Sequence, residues 1–167
     1  PSRRQRQMCI RDSPRNALIV IDYAHTPDAL EQVLMSLKNQ TERKVYVVFG
    51  CGGERDQGKR SQMGKVAKSI ADSIIITDDN PRNESASKIR SDILAGCPDA
   101  IQIANRDEAI EFAINQLQHS DSLLIAGKGH ENLQLIGSET LPFNDAVVAR
   151  NSVMRLRETI LKSEAKK

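Results

Sequence analysis

Short apolar runs alternate with helical patterns along most of the chain. Residues 17–22 form a continuous, largely β-branched apolar run, which is typical of a strand buried on both faces. Apolar residues at helical spacing follow between Leu30 and Leu37. Pro27 suits the first turn of that predicted helix, and the Thr26 side chain can cap it.

The same alternation continues to the end of the chain. Further strands are predicted at residues 44–49, 73–77, 101–103 and 122–126, and further helices around residues 63–70, 87–94, 110–117 and 145–160. Residues 133–136 and 140–143, joined around Gly137, are predicted to form a hairpin at the sheet edge. Alternating strands and helices indicate an α/β fold: a doubly wound, mostly parallel, Rossmann-like sheet with helices on both faces.

The first residues differ from the rest of the chain. Residues 1–15 hold five arginines and one acidic residue, and the apolar pattern begins only at Ala17. Residues 3–12 also resemble translated sequencing-adapter sequence. We interpret residues 1–15 as a non-native or disordered basic leader, residues 16–163 as one domain and residues 164–167 as a tail. A basic arm that binds an acidic partner is the functional alternative for the leader.

Charge and composition exclude several classes of function. Taking the leader from the 24 basic and 22 acidic side chains leaves 19 and 21, so the body carries no basic excess for nucleic acid. Aromatic residues make up only 3% of the chain, too few for a stacking platform. No apolar run is long enough to span a membrane. The three cysteines lie far apart and fit neither a disulfide framework nor a zinc site, so a cytoplasmic location is expected.

The polar loops are predicted to meet at one edge of the sheet. Ligands of open α/β sheets bind beyond the carboxyl ends of the strands. The loops expected there are residues 23–27, 50–59, 78–83 and 127–132, which are also the most polar and glycine-rich stretches.

Two of these loops carry groups suited to an anion. Residues 50–56 contain three glycines before a helix, with Arg55 and Lys59 adding positive charge. This is not a Walker A loop, because Lys59 is followed by Arg60 rather than by Ser or Thr. His25 could contact a nucleotide, or it could simply cap the following helix. Solvated charges on a turn remain the alternative for residues 54–56.

The loop of residues 78–82 carries the sharpest chemistry. Arg82 offers a planar fork that matches a carboxylate, and Pro81 stiffens the backbone before it. Asp79 and Asn80 supply acceptors suited to an ammonium group. This loop therefore complements both ends of an amino-acid zwitterion; the alternative is an Asx-Pro turn with an exposed arginine.

The last loop combines two glycines with charged residues. Gly127 permits close approach of a ligand, and Glu131 could accept a hydrogen bond from a second ammonium group. The alternative is a flexible exit turn with Lys128 and Glu131 solvated. A phosphoacceptor module using Asp22 or Asp78 is a rival from a different class; Lys128 suits it, but the paired acids it needs after the first strand are missing.

Together, four motifs resemble one family. They are residues 23–30 (YAHTPDAL), 49–56 (FGCGGERD), 79–82 (DNPR) and 127–131 (GKGHE). The chain resembles, over residues 17–162, the C-terminal domain of the Mur ligases, in particular those that add meso-diaminopimelate. Such a ligase uses ATP to phosphorylate a carboxylate of UDP-MurNAc-L-Ala-D-Glu during peptidoglycan synthesis, and the amine of the incoming amino acid attacks the acyl phosphate.

The resemblance implies roles for individual residues. Asp79, Asn80, Pro81 and Arg82 match the diaminopimelate-recognition motif, with Arg82 on the distal carboxylate. The other implied contacts to the amino acid are Arg55, Gly127 and Glu131, and His25 matches a position near the nucleotide. No residue of this chain is assigned a catalytic role or a metal-binding role.

The resemblance also implies partners. ATP acts as a substrate, and Mg²⁺ is expected on a central ATPase domain that, like the domain binding the UDP end, has no counterpart in this sequence. We therefore expect no ligase turnover by this chain alone. A lysine-adding ligase is the nearest alternative, and Arg82 argues against it, because lysine lacks the distal carboxylate.

Overall fold

The structure is a computed structural model that describes residues 7–167. Its eight strands are β1 (Gln7–Ile10), β2 (Leu18–Asp22), β3 (Val45–Phe49), β4 (Ser73–Ile76), β5 (Ile101–Gln102), β6 (Ser122–Ala126), β7 (Leu133–Ile136) and β8 (Glu139–Pro142). Its five helices are α1 (Pro27–Gln40), α2 (Gly58–Ile70), α3 (Ala86–Leu94), α4 (Arg106–Gln116) and α5 (Asp145–Glu164). Among these helices none combines the length and apolarity needed to cross a membrane.

Six strands form one twisted sheet in the order β1-β2-β6-β3-β4-β5. Strands β2, β6, β3, β4 and β5 run parallel to one another, and β1 runs antiparallel to β2. The predicted doubly wound, mostly parallel sheet is therefore confirmed. Because β6 enters the sheet between β2 and β3, the loops that follow these three strands emerge side by side at one edge.

Two apolar layers cover the sheet. Side chains alternate along each strand, so that Val20, Val47 and Leu124 face α1, α2 and α3 on one side. Ile21 and Ile125 face α4 and α5 on the other side. Every residue of β3 and β6 is buried, which explains their uninterrupted apolar sequences.

Residues 7–10, which the sequence interpretation placed in a non-native or disordered leader, form a strand. Strand β1 pairs with β2 over four residues, and Met8 and Ile10 pack on the core formed with α4 and α5. The edge of β2 otherwise presents unpaired backbone groups, and the β1 backbone satisfies them. Residues 1–6 lie outside the described residues, and the non-native origin of the leader stays a prediction.

The two strands of the predicted hairpin are confirmed, but the predicted position at the edge of the main sheet is wrong. Strands β7 and β8 form a separate two-stranded sheet, not an extension of the main sheet. This hairpin is tied instead to the loop after β4: the Arg82 N–H donates to the Leu135 carbonyl at 2.9 Å, and the Gly137 N–H donates to the Arg82 carbonyl at 2.6 Å. The hairpin therefore braces a loop predicted to bind ligand.

Candidate functional site

A cleft of about 490 Å³ lies at the carboxyl edge of the sheet. The loops after β2, β3, β4 and β6 line it. It brings together all but one of the residues predicted to bind a ligand, namely His25, Arg55, Asp79, Asn80, Arg82, Gly127 and Glu131. The remaining one, Pro81, is buried behind the cleft, where its carbonyl accepts from the Glu84 N–H at 3.1 Å.

Close backbone packing explains two glycines of the loop after β3. A Cβ on Gly50 would lie 2.2 Å from the Thr77 carbonyl oxygen, and a Cβ on Gly53 would lie 1.9 Å from the Pro81 carbonyl oxygen. The Gly53 N–H also donates to the Asn80 carbonyl at 2.8 Å. These two glycines therefore serve contact between two loops, whereas the sequence interpretation assigned them to the approach of a ligand.

Arg82 is held in an uncommon conformation beside the cleft. Its φ of 54° lies in the left-handed region, which non-glycine residues adopt at ligand clamps when the surroundings enforce it. Its Nη1 donates to the Gly53 carbonyl at 3.0 Å and, more weakly, to the Asn80 carbonyl at 3.4 Å. Within residues 7–167, Nε and Nη2 of Arg82 have no protein acceptor, so that edge of the fork remains for a ligand carboxylate.

Lys128 is fully buried beneath the cleft, where the sequence interpretation allowed a solvated side chain. Its Nζ donates to Asn80 Oδ1 at 2.8 Å and lies 3.8 Å from Asp79 Oδ1 and 3.7 Å from Glu131 Oε2. Burial lowers the pKa of Lys128; the charges of Asp79 and Glu131 oppose this shift, and Arg106 adds to it. Periodicity alone gave no signal for this contact, because it joins two loops that are distant in sequence.

Asn80 is less available as an acceptor than predicted. Its Oδ1 accepts from both Lys128 Nζ and the Leu135 N–H, at 2.8 and 3.0 Å. Its Nδ2 donates to Glu131 Oε2 at 3.3 Å. The acceptors that face the cleft are therefore the carboxylates of Asp79 and Glu131, while Asn80 contributes an N–H donor.

The opposite wall of the cleft is cationic. Arg55 is exposed, and Lys59 Nζ donates to the His25 carbonyl at 2.9 Å, which joins the loop after β2 to the start of α2. His25 Nδ1 lies 2.9 Å from the Tyr23 carbonyl oxygen, and the two rings meet edge to face with centroids 4.6 Å apart. The exposed His25 ring and the two cations can therefore receive an anionic group.

Two buried arginines support the loops and were not predicted. Arg106 donates to Asp145 from both Nε and Nη2, at 2.7 and 2.8 Å, and Nη2 also donates to the Ala126 carbonyl at 3.0 Å. Although burial disfavours its charge, Asp145 raises the pKa of Arg106 overall. Arg60 binds Glu84 with a 3.0 Å contact from Nη2, and this hydrogen bonding raises the pKa of Arg60.

The acids required by the phosphoacceptor hypothesis are occupied. Asp22 is buried and accepts from the Ala24 N–H at 2.7 Å. Asp78 forms an ion pair with Arg90. Lys128 contacts neither acid side chain among its polar contacts, so the geometry does not favour this alternative. Within residues 7–167, no group of three or more His, Cys, Asp or Glu side chains is arranged to hold a metal ion.

This fold defines an α/β domain whose cleft is lined by both cationic and anionic side chains. The family profile described as "Mur ligase, glutamate ligase domain" matches residues 5–129. The chain therefore belongs to this family.

Two similar proteins and one solved structure have the same name. The chain is 57% identical over 142 residues to "UDP-N-acetylmuramoyl-L-alanyl-D-glutamate--2,6-diaminopimelate ligase" of Rickettsia montanensis, covering 83% of this chain and 30% of the relative. It is 48% identical over 147 residues to the ligase of the same name from Agrobacterium fabrum, covering 88% of this chain and 30% of the relative. A solved structure of a ligase with this name superposes with a TM-score of 0.86 at 42% identity, covering 94% of this chain and 32% of that one. The chain thus spans about a third of the length of these relatives.

Proposed function

We propose that this chain is the amino-acid-recruiting domain of a cytoplasmic, ATP-dependent ligase that adds meso-diaminopimelate to UDP-MurNAc-L-Ala-D-Glu in peptidoglycan synthesis. One observation supports this proposal above all: the free guanidinium edge of Arg82 and the carboxylates of Asp79 and Glu131 lie in one cleft. Family membership and the names of the relatives support the same reaction.

The cleft complements an amino acid with more than one charged end. The free edge of Arg82 can take a carboxylate with two parallel N–H donors, and Asp79 and Glu131 can accept from ammonium groups. Diaminopimelate carries two carboxylates and two ammonium groups, whereas lysine has one carboxylate fewer. Bound lysine would leave the Arg82 edge without its partner, which is the physical basis for discrimination.

In the proposed reaction, ATP transfers its γ-phosphoryl group to the glutamate carboxylate, and the diaminopimelate amine then attacks the acyl carbon and releases phosphate. This chain binds and orients the amine. The wall formed by the His25 ring and the cations Arg55 and Lys59 is suited to part of the ATP. Mg²⁺ is expected on the central ATPase domain, and no step is placed on a metal held by this chain.

Binding measured by calorimetry on the purified chain tests the proposal. We expect meso-diaminopimelate to bind more tightly than L-lysine. Arg82→Ala should weaken diaminopimelate binding by roughly 10- to 100-fold, the equivalent of the 1.5–3 kcal/mol of a hydrogen bond to a charged group. The same substitution should leave lysine binding nearly unchanged.

Arg155→Ala is the matched control. Arg155 is an exposed arginine of α5 that pairs with Glu111 at 3.1 Å, away from the cleft. This variant should bind diaminopimelate as the unaltered chain does. Equal affinity for lysine and diaminopimelate, or an Arg82→Ala variant that binds as tightly as the control, would refute the assignment of the amino acid.

Turnover is expected only when the remaining two thirds of the ligase length is supplied. The sequence has no Gly-Lys-Ser or Gly-Lys-Thr phosphate loop, and Arg60, at the position after Lys59, is buried against Glu84. Product formed by this chain alone from ATP, diaminopimelate and the precursor would contradict that expectation.

A further inference from the structure

Lys128 lies under the cleft without lining it. Its side chain is 0% exposed, although lysine is rarely buried fully. Three side chains of the cleft surround its ammonium group: Asn80 at 2.8 Å, Glu131 at 3.7 Å and Asp79 at 3.8 Å. Removing an ammonium group from water costs free energy, so a buried lysine needs contacts that offset this cost.

The contacts of Lys128 determine which way the Asn80 amide points. An ammonium group and a backbone N–H can only donate, and both Lys128 Nζ and the Leu135 N–H lie at the same atom of Asn80. That atom must therefore be the carbonyl oxygen. The amide nitrogen is consequently directed at Glu131 Oε2, 3.3 Å away, and its second N–H has no acceptor within residues 7–167.

A reversed amide would change the chemistry of the cleft. It would place the amide NH2 group against the Lys128 ammonium group, donor against donor, and its oxygen against the Glu131 carboxylate, acceptor against acceptor. In the observed orientation the amide donates toward the cleft, on the same loop as the free edge of Arg82. Carboxylate recognition and ammonium recognition are thereby kept on different atoms.

We propose that Lys128 is a positioning residue for amino-acid recognition: its buried ammonium group fixes the Asn80 amide with the oxygen inward and the NH2 group toward the cleft, ready to donate to a ligand carboxylate. The ligand named in this inference rests on the proposed function, whereas the orientation of the Asn80 amide does not depend on it. The Leu135 N–H alone would hold the oxygen less firmly, because a single neutral donor replaces two donors, one of them charged.

The test uses Lys128→Met in the full chain, with two measurements. The side-chain NH2 resonances of Asn80, followed by NMR in the absence of ligand, report the orientation of the amide. Calorimetry with meso-diaminopimelate reports recognition. We expect the Asn80 signals to shift toward those of a solvent-exposed asparagine and to exchange faster with water. We expect affinity to fall at least about tenfold, since a hydrogen bond to a charged group is displaced.

Lys38→Met is the matched control, because Lys38 is an exposed lysine that pairs with Asp72 at the opposite edge of the sheet. It should change neither measurement. Unaltered Asn80 signals and unaltered affinity in Lys128→Met would overturn the proposal. If the unaltered chain does not bind diaminopimelate while the Asn80 signals still change in Lys128→Met, the proposed ligand is wrong but the positioning role stands.

Asn80→Asp provides a second variant should Lys128→Met fail to fold. It keeps the shape of the side chain and an acceptor for Lys128, but it removes the NH2 group that faces the cleft. We expect a loss of diaminopimelate affinity of about tenfold or more. Wild-type affinity in Asn80→Asp would overturn the proposal, because the direction of the amide would then not matter.

Discussion

The buried ion pair between Arg106 and Asp145 gives the sharpest prediction about stability. Both side chains are 0% exposed, and the pair joins the first residues of α4 and α5. Arg106 also donates to the Ala126 carbonyl at 3.0 Å and to the Asp78 carbonyl at 3.3 Å, so it ties the end of β6 to the loop after β4. Replacing Arg106 with methionine removes all of these contacts at once.

The expected loss of stability follows from the Asp145 carboxylate that remains buried after the substitution. Arg106→Met leaves the Asp145 carboxylate buried without its partner, and breaking such a pair costs about 3–5 kcal/mol. Replacing both partners, in Arg106→Met with Asp145→Leu, removes the orphan charge as well. The double variant should therefore be more stable than Arg106→Met by at least about 1.5 kcal/mol, since apolar replacements of a buried pair are often close to neutral.

Urea unfolding followed by circular dichroism measures these differences. With a slope of about 2 kcal/mol per molar urea, Arg106→Met should lower the midpoint by roughly 1.5–2.5 M. The exposed pair of Arg155 and Glu111 supplies the control, and Arg155→Met should cost no more than about 1 kcal/mol. A loss in Arg106→Met as small as in the control, or a double variant less stable than Arg106→Met, would refute the reasoning.

Three further predictions follow from other buried contacts. Gly53→Ala should cost about 1–3 kcal/mol in urea unfolding, because its Cβ would meet the Pro81 carbonyl oxygen at 1.9 Å, whereas Gly58→Ala, with a nearest contact of 3.2 Å, should cost less. Burial lowers the pKa of Lys128 from its usual 10.5, so the unfolded chain binds more protons between the two values. Stability should then rise with pH across that window, and Lys128→Met should remove this part of the pH dependence in urea titrations. Burial raises the pKa of Cys51 to about 12, so a thiol reagent at neutral pH should label Cys51 only after unfolding, whereas the exposed Cys9 can react in the native chain. Rapid labelling of Cys51 itself in the native chain, located by mass spectrometry of its peptides, would contradict this.

Local pattern was sufficient to predict the main elements of the fold. The apolar runs of β3 and β6 are buried throughout, and the helix that begins at Pro27 has Thr26 as its cap, with the Thr26 hydroxyl accepting from the Ala29 N–H at 3.2 Å. These features depend on residues close together in sequence, because hydrophobic periodicity and helix capping involve only neighbouring residues. Strand β1 was missed because it is held by the edge of β2 and not by a strong pattern of its own.

The sequence predicted which residues lie in the site but not the hydrogen bonds between them. Because the carboxyl ends of parallel strands meet at one edge, the sequence alone indicated that Arg55, Asp79, Arg82 and Glu131 would share a cleft, and they do. Their individual roles in binding stay predictions. The direction of the Asn80 amide and the use of the glycines as loop contacts could not be deduced from spacing.

What the sequence by itself determined was the alternation of strands and helices and the four polar loops that must converge where parallel strands end. What only the tertiary structure decided was which charges are buried and against what. Lys128 and Arg106 look like ordinary surface cations in the sequence, yet both are fully buried. The physical reason is that hydrophobic periodicity shows only which face of a helix or strand is apolar. The free-energy cost of burying a charge depends instead on partners that folding brings together from distant segments of the chain.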